Sequence, residues 1–346
     1  MSRKRANTVG TLSPEKHSLW KTPVPLGRRG PLVTRMGLGG APLGGLFRGV
    51  REVDALATLR TAMDAGFNLF DTAPFYGSGR SEQRFGTVLG PQPRDSFVLS
   101  TKVGRALEPV LTQTPPNSDY KDTLPFAPVF DFSRTGVLRS FEESLTRLQL
   151  ERIDLLLIHD PDEYWEQAIG EAYPTLEALR GQGVIRGIGV GMNQTEMLLR
   201  FAQEGDFDCF LLAGRYTLLD QSALDALLPL CLRKGISIMA GGVFNSGILA
   251  SGAVPGATYD YVPANPEVLE RTRRLEQVCQ RHGVSLKAAA LQFPLAHPAV
   301  ATVLIGARSP LELRENVWLM EQTLPAALWA EMKSEGLIHP LAPVPA

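Results

Sequence analysis

Cysteine is scarce in this 346-residue chain. Cys209, Cys231 and Cys279 lie far apart with no C-x-x-C pair, which excludes a disulfide framework and a structural zinc site and leaves them as small buried hydrophobes in a reducing compartment. Histidine is little more common. Of His17, His159, His282, His297 and His339 only His159 ends an apolar run, so a metal-dependent hydrolase, which wants several ligands at strand ends, is poorly supplied. Neither sign of charge is in excess. The 35 basic and 36 acidic residues give a formal net charge of −1, which argues against a nucleic-acid footprint or a polybasic membrane patch. No run is long and apolar enough to span a membrane, and the basic start Ser2-Arg3-Lys4-Arg5 leads into residues too mixed for a signal peptide. The expectation is a cytoplasmic protein that meets a small-molecule substrate, with its oligomeric state open.

The chain also lacks the G-x-G-x-x-G turn with which an open, doubly wound sheet announces a dinucleotide site. Gly37, Gly39, Gly40, Gly44 and Gly45 do not fit that spacing ahead of a helix. What is present is a rhythm. With 44% hydrophobic residues, short apolar runs alternate with amphipathic segments from Met36 onward. Strands are expected at 35–38, 68–71, 97–102, 153–159, 185–190, 208–212, 236–240 and 301–305, and helices at 53–65, 134–148 and 222–233. The run Leu155-Leu156-Leu157-Ile158 reads as a parallel strand covered on both faces. Gly66 and Gly235 fall where helices should end, and Ser81 with Glu82 where one should begin.

Eight such units predict an α/β fold, a (β/α)8 TIM barrel. Two long βα loops, at 105–131 after the third strand and 247–266 after the seventh, would wall a pocket at the C-terminal face. Residues 22–34 should form a hairpin plugging the bottom. The expected organisation is a flexible segment at 1–21, one barrel catalytic domain at 22–338 and a Pro-rich tail at 339–346.

Polar residues at the ends of apolar strands are the candidates for chemistry. Asp71 ends the second strand, Lys102 the third and His159 the fourth, and Tyr76 follows Asp71 in the same turn. A phenol with a pKa near ~10 needs help to exchange protons at neutral pH. An ammonium from Lys102 would supply it, Asp71 would keep Lys102 protonated, and His159 would donate a hydrogen bond to the substrate oxygen.

The segment from Asn68 through Asp71-Thr72-Ala73-Pro74-Phe75-Tyr76-Gly77, with Ser81-Glu82, Gly86 and Leu89-Gly90, resembles the signature of the aldo-keto reductase superfamily. Ile188-Gly189-Val190-Gly191-Met192-Asn193 is similar to its fifth-strand motif, and Ile305-Gly306-Ala307-Arg308-Ser309 with Leu313-Arg314-Glu315-Asn316 looks like its adenosine-phosphate site. The stretches around Tyr216 and Val243 resemble the branch that oxidises aldoses and pyridoxal. The resemblance covers roughly residues 24–322. It implies NAD or NADP bound without a Rossmann fingerprint, Tyr76 as acid/base tuned by Asp71 and Lys102, and His159 aligning the substrate.

It further implies Asn193 at the nicotinamide carboxamide, Tyr216 stacked on the nicotinamide ring, and backbone around Val243, Asn245 and Gly247 draped over the pyrophosphate. Gly306, Arg308, Glu312 and Asn316 would sit at the adenosine end. Met192 stands where many members have Ser, and Ala213 where many have Gln, which leaves one carboxamide hydrogen bond unassigned. The branch tilts the cofactor toward NAD. The implied reaction is hydride transfer between nicotinamide C4 and the anomeric carbon of an aldose of the L-fucose or D-threo type, or a pyridoxal-like alcohol, giving a lactone. A general aldehyde or ketone reductase using NADPH is the alternative, and a non-catalytic cofactor-binding redox sensor is the alternative of another class.

Overall fold

The computed structural model describes residues 18–110, 119–121 and 123–345. Its centre is a closed parallel barrel whose strands β1 (Met36–Gly39), β2 (Leu69–Asp71), β3 (Val98–Val103), β4 (Leu155–His159), β5 (Gly187–Met192), β6 (Cys209–Ala213), β7 (Ser237–Gly241) and β8 (Val300–Gly306) neighbour one another in chain order. β8 returns to β1, with Val303 opposite Met36 and Gly306 opposite Gly39. All eight expected strands are present, each displaced by no more than two residues at either end. Every residue of β3, β4 and β5 is buried, as strands covered by side chains inside and helices outside must be.

The helices form the outer layer. Glu52–Ala65 closes on Gly66, whose φ of 96° is the left-handed cap that a side chain would strain, and Arg134–Leu148 begins with the Ser133 hydroxyl accepting from Gly136 N–H. Arg80–Leu89 begins within one residue of the start expected at Ser81 and Glu82. Gly79 precedes it, and Ser81 and Glu82 are fully buried inside the first turn, committed to tertiary bonds. The Ser81 hydroxyl donates to Gly40 O at 3.0 Å, while Glu82 accepts from Thr101 Oγ1 at 2.7 Å and from Arg147 Nε at 2.6 Å. Those bonds fix this helix behind β1 and β3. The expected helix at 222–233 divides into a 3-10 turn, Ser222–Leu224, and a helix, Leu227–Lys234.

Val24–Pro25 pairs antiparallel with Leu32–Val33. Leu26 and Val33 of this hairpin are fully buried in one apolar cluster with Leu69, Val98, Leu155, Cys209, Met239 and Leu304, so it closes the barrel bottom as expected. The three cysteines are buried thiols, and burial pushes Cys231 and Cys279 up to about 12. Of the N-terminal segment expected at 1–21, residues 1–17 lie outside the described residues; Leu19–Lys21 is a 3-10 turn that buries Trp20 against Phe67, ring centroids 5.0 Å apart. The tail is described through Val344 and Pro345, with Ala342 buried. Among the described residues no helix is long and apolar enough to cross a membrane.

Both long loops are folded where described. The one after β3 is a two-stranded ribbon, Arg105–Pro109 against Phe126–Phe130, with part of its expected span, 111–118 and 122, outside the described residues. The one after β7 contains the short hairpin Thr258–Tyr259 and Val262–Pro263. Its two turn residues, Asp260 and Tyr261, have φ of 50° and 67° where glycine or asparagine is usual. The Arg215 to Asp260 ion pair at 2.8 Å and a bond from Tyr261 N–H to Ser246 Oγ at 2.9 Å hold that turn in place.

Candidate active site

A cavity of about 280 Å³ opens at the C-terminal ends of the strands, and Tyr76, Lys102 and His159 line it together with Arg105, Asp160 and Asn193. A larger hollow, about 440 Å³, lies at the opposite end beside the hairpin, and among the described residues no carboxylate, histidine or tyrosine lines it. Barrel chemistry belongs to the first location.

Register explains the convergence. Asp71 ends β2 opposite Ser100, Lys102 lies two residues further along β3, and His159 ends β4 opposite Gly191. The turn after Asp71 is pinned by Thr72 N–H to Ser100 O at 2.9 Å and Tyr76 N–H to Ala73 O at 3.1 Å. Gly77 is obligatory there, because at φ 66° a Cβ would stand 2.4 Å from Gly44 O. Tyr76 is thereby held against the rim.

Lys102 Nζ donates to Asp71 Oδ2 at 2.7 Å and to Thr72 O at 2.9 Å. It also lies 4.6 Å from the centroid of the Tyr76 ring. Tyr76 meets His159 edge to face at 5.8 Å and stacks on Tyr120 at 6.1 Å. Burial raises the Asp71 carboxyl above its ordinary value although Lys102 pulls it down. Burial, with smaller contributions from Arg105 and Lys102, holds the His159 imidazole well below its usual range, so it is neutral at neutral pH. Its Nδ1 and the Asp71 Oδ1 are buried without a hydrogen-bond partner among the described residues.

The phenol itself departs from expectation. Burial first, then the Asp71 and Asp160 carboxylates, push Tyr76 well above 10, and Arg105 is the cation that opposes them. Lys102 faces the ring and spends its bonds on Asp71 and Thr72, and its charge does not offset the burial and the carboxylates that raise the phenol.

The residues expected at the cofactor are spread along the rim. Asn193 follows β5 and lines the cavity together with Tyr261, Met192 and Ala213. Tyr216, expected on the nicotinamide ring, is 1% exposed, packs against Phe293 at 5.3 Å and His297 at 5.6 Å, and is not among the residues that line this cavity. The backbone expected to drape a pyrophosphate is partly spent as well. Asn245 N–H bonds Gly242 O at 2.8 Å and Gly247 N–H bonds Phe244 O at 3.0 Å, and Val243 is buried at the start of that turn. The Asn245 amide ties this loop to Gly214 O at 3.1 Å.

Gly306 ends β8 and abuts the Pro42 ring. Beyond it Arg308 N–H donates to Glu312 Oε2 at 2.8 Å, and the Arg308 guanidinium lies 3.7 Å from Oε1. Asn316 is buried one turn further along helix Pro310–Met320. Asn245 Oδ1 and Asn316 Oδ1 are both buried and without a partner among the described residues. Two orphaned amide oxygens, one by each of the loops in question, fit a ligand that brings its own donors.

Sequence reasoning passed over Arg105, Asp160, Tyr120 and Tyr261, all of which line the cavity. Asp160 alone carried a signal, as a second titratable residue directly after His159.

Comparison with known proteins agrees with this architecture. The model of the Aldo/keto reductase family matches residues 35–335, and the chain belongs to that family. It is a nicotinamide-dependent oxidoreductase with the family's (β/α)8 barrel. It is similar to pyridoxal 4-dehydrogenase of Microbacterium luteolum, 43% identical over 332 residues that cover 90% of this chain and 97% of the relative. It is also similar to D-threo-aldose 1-dehydrogenase of a Pseudomonas species, 40% identical over 315 residues, covering 89% and 96%. Among solved structures, the holo form of an aldo-keto reductase from Bacillus halodurans superposes with a TM-score of 0.73 at 26% identity, covering 90% of this chain and 95% of that one.

Proposed function

We propose that this protein is an NAD-dependent dehydrogenase that oxidises the anomeric carbon of an aldose, or a pyridoxal-like cyclic hemiacetal, to a lactone. The observation that carries the reading is the convergence of Tyr76, Lys102 and His159 on one cavity, with Asp71 paired to Lys102, in a chain about as similar to an aldose dehydrogenase as to a pyridoxal dehydrogenase. When bound, the oxidised nicotinamide accepts hydride at C4 and brings a positive charge into the cavity. Tyr76 takes the proton of the substrate hydroxyl while the hydrogen on the same carbon leaves as hydride. His159, neutral, donates to the substrate oxygen and orients that carbon. Lys102 and Asp71 hold a paired charge against the tyrosine ring.

NAD is favoured over NADP by Glu312. Its carboxylate already engages the Arg308 N–H and faces the Arg308 guanidinium, so a 2′-phosphate would meet a negative charge and a cation that is spoken for. The raised Tyr76 phenol favours a second reading, a carbonyl reductase working in the reverse direction, since a protonated tyrosine is the form that gives a proton to a carbonyl oxygen.

An absorbance assay at the reduced-nicotinamide band, with a panel of aldoses and pyridoxal and with NAD and NADP in parallel, separates these readings. Tyr76→Phe should abolish turnover and keep cofactor binding. Retained turnover in that variant would sink the mechanism.

A further inference from the structure

We propose that the Arg105 to Asp160 ion pair reads a hydroxyl on the carbon next to the reacting one, which makes the substrate class an α-hydroxy carbonyl compound or its cyclic hemiacetal. The inference rests on the oxidoreductase reading above and deepens its aldose half, since in a pyridoxal hemiacetal the carbon next to the reacting one is a ring carbon that bears no hydroxyl.

Asp160 follows His159 directly, with φ of 44°, a left-handed conformation that a residue with a side chain adopts only at a cost. The bend is fixed by Asp160 N–H donating to Gly191 O at 3.0 Å. It sets the carboxylate beside the imidazole, with Asp160 Oδ2 3.6 Å from His159 Nε2 and both residues lining the cavity. Arg105, from the loop after β3, donates to the same Oδ2 through Nη2 at 2.6 Å. Its guanidinium is gripped between the Phe75 ring at 4.2 Å and the Phe130 ring at 4.8 Å, so the carboxylate faces a cation with little freedom to swing away.

An ion pair mostly withdrawn from water is a weak source of stability. Here it joins a loop to a strand end at the wall of the cavity, next to the group that orients the substrate oxygen. A carboxylate offers about four acceptor sites on its two oxygens, and one bond to Arg105 leaves capacity for a hydroxyl donor. Two groups 3.6 Å apart can each bond one of two oxygens on adjacent carbons, His159 taking the reacting oxygen and Asp160 its neighbour. The pairing also argues against a phosphorylated substrate. Arg105 is already matched by Asp160, and a second anion would be left facing that carboxylate.

Two matched pairs test this with NAD-saturated enzyme in oxidation and NADH in reduction: an aldohexose against its 2-deoxy analogue, and glyceraldehyde against propanal. The unaltered enzyme should prefer the hydroxylated member of each pair by about 10²-fold in kcat/KM or more. Asp160→Asn should cut that preference at least about tenfold; asparagine tolerates the left-handed backbone, and cofactor binding followed by fluorescence reports that the variant is folded. Equal kcat/KM within a pair for the unaltered enzyme, or loss by the same factor on both members in the variant, would overturn the proposal. If glyceraldehyde is preferred but no aldose is oxidised, the hydroxyl reader stands and the dehydrogenase reading falls. Turnover of none of the four sinks both.

Discussion

Lys102 Nζ lies 2.7 Å from Asp71 Oδ2 but above the face of the Tyr76 ring, 4.6 Å from its centroid. Its charge is therefore spent chiefly on the carboxylate, and burial with Asp71 leaves the phenol well above 10. Oxidation needs that phenol ionised, so kcat/KM for aldose oxidation should climb with pH across about pH 6 to about pH 9. Carbonyl reduction should stay nearly flat over the same span. A pH–rate profile in both directions checks this, and an oxidative plateau beginning near neutrality would show that the phenol is already ionised.

The buried pair itself should behave as a unit. Lys102→Met leaves Asp71 without its cation in a site where burial already favours the neutral acid, and Asp71→Asn leaves an ammonium without its carboxylate. Each single change should cost about 3–5 kcal/mol of stability, and Asp71→Asn with Lys102→Met together should recover most of that. Urea unfolding of the four proteins gives the coupling. Additive losses would mean that the two side chains are held independently.

How far the sequence foretold this arrangement depends on where each residue sits. The strands were legible because a strand buried on both faces must be a continuous apolar run, and Asp71, Lys102 and His159 were legible as polar interruptions at the ends of such runs. The packing of Tyr216 was not, since an aromatic in the turn after β6 carries no local sign of the side it faces, and Phe293 and His297, which bury it, come from remote sequence. Arg105 was hidden for the same reason: its partner Asp160 lies 55 residues away. Ser81 and Glu82 were legible as a helix start, but not as side chains bound for Gly40, Thr101 and Arg147, which come from other elements.

His159 offers a test that needs no substrate. Its folded pKa is depressed below 6.5, chiefly by burial, so the unfolded chain binds a proton in the window where the folded one does not. The contribution is complete above the unfolded value and is lost as pH falls from about 6.5 toward the folded value, at up to about 1.4 kcal/mol per pH unit. Relative to His159→Asn, which cannot titrate, the unaltered protein should lose more stability between about pH 7 and about pH 5 in denaturant unfolding. Parallel curves for the two proteins would place the folded pKa near its ordinary value.

Glu312 occupies its own Arg308 at the start of helix Pro310–Met320, accepting from Arg308 N–H at 2.8 Å and lying 3.7 Å from its guanidinium. Both side chains are substantially exposed, so the pair contributes little to stability, and its effect should appear in the choice of cofactor. Glu312→Gln removes the negative charge and frees Arg308 to meet a 2′-phosphate. The ratio of kcat/KM for NADP to that for NAD should rise by roughly tenfold to a hundredfold, as expected when a charge-assisted contact replaces a like-charge one. Arg308→Ala in the Glu312→Gln background should reverse most of the gain, because the guanidinium is then the group that binds the phosphate. If the ratio stays unchanged in Glu312→Gln, discrimination lies elsewhere along the adenosine end and the NAD reading loses its support.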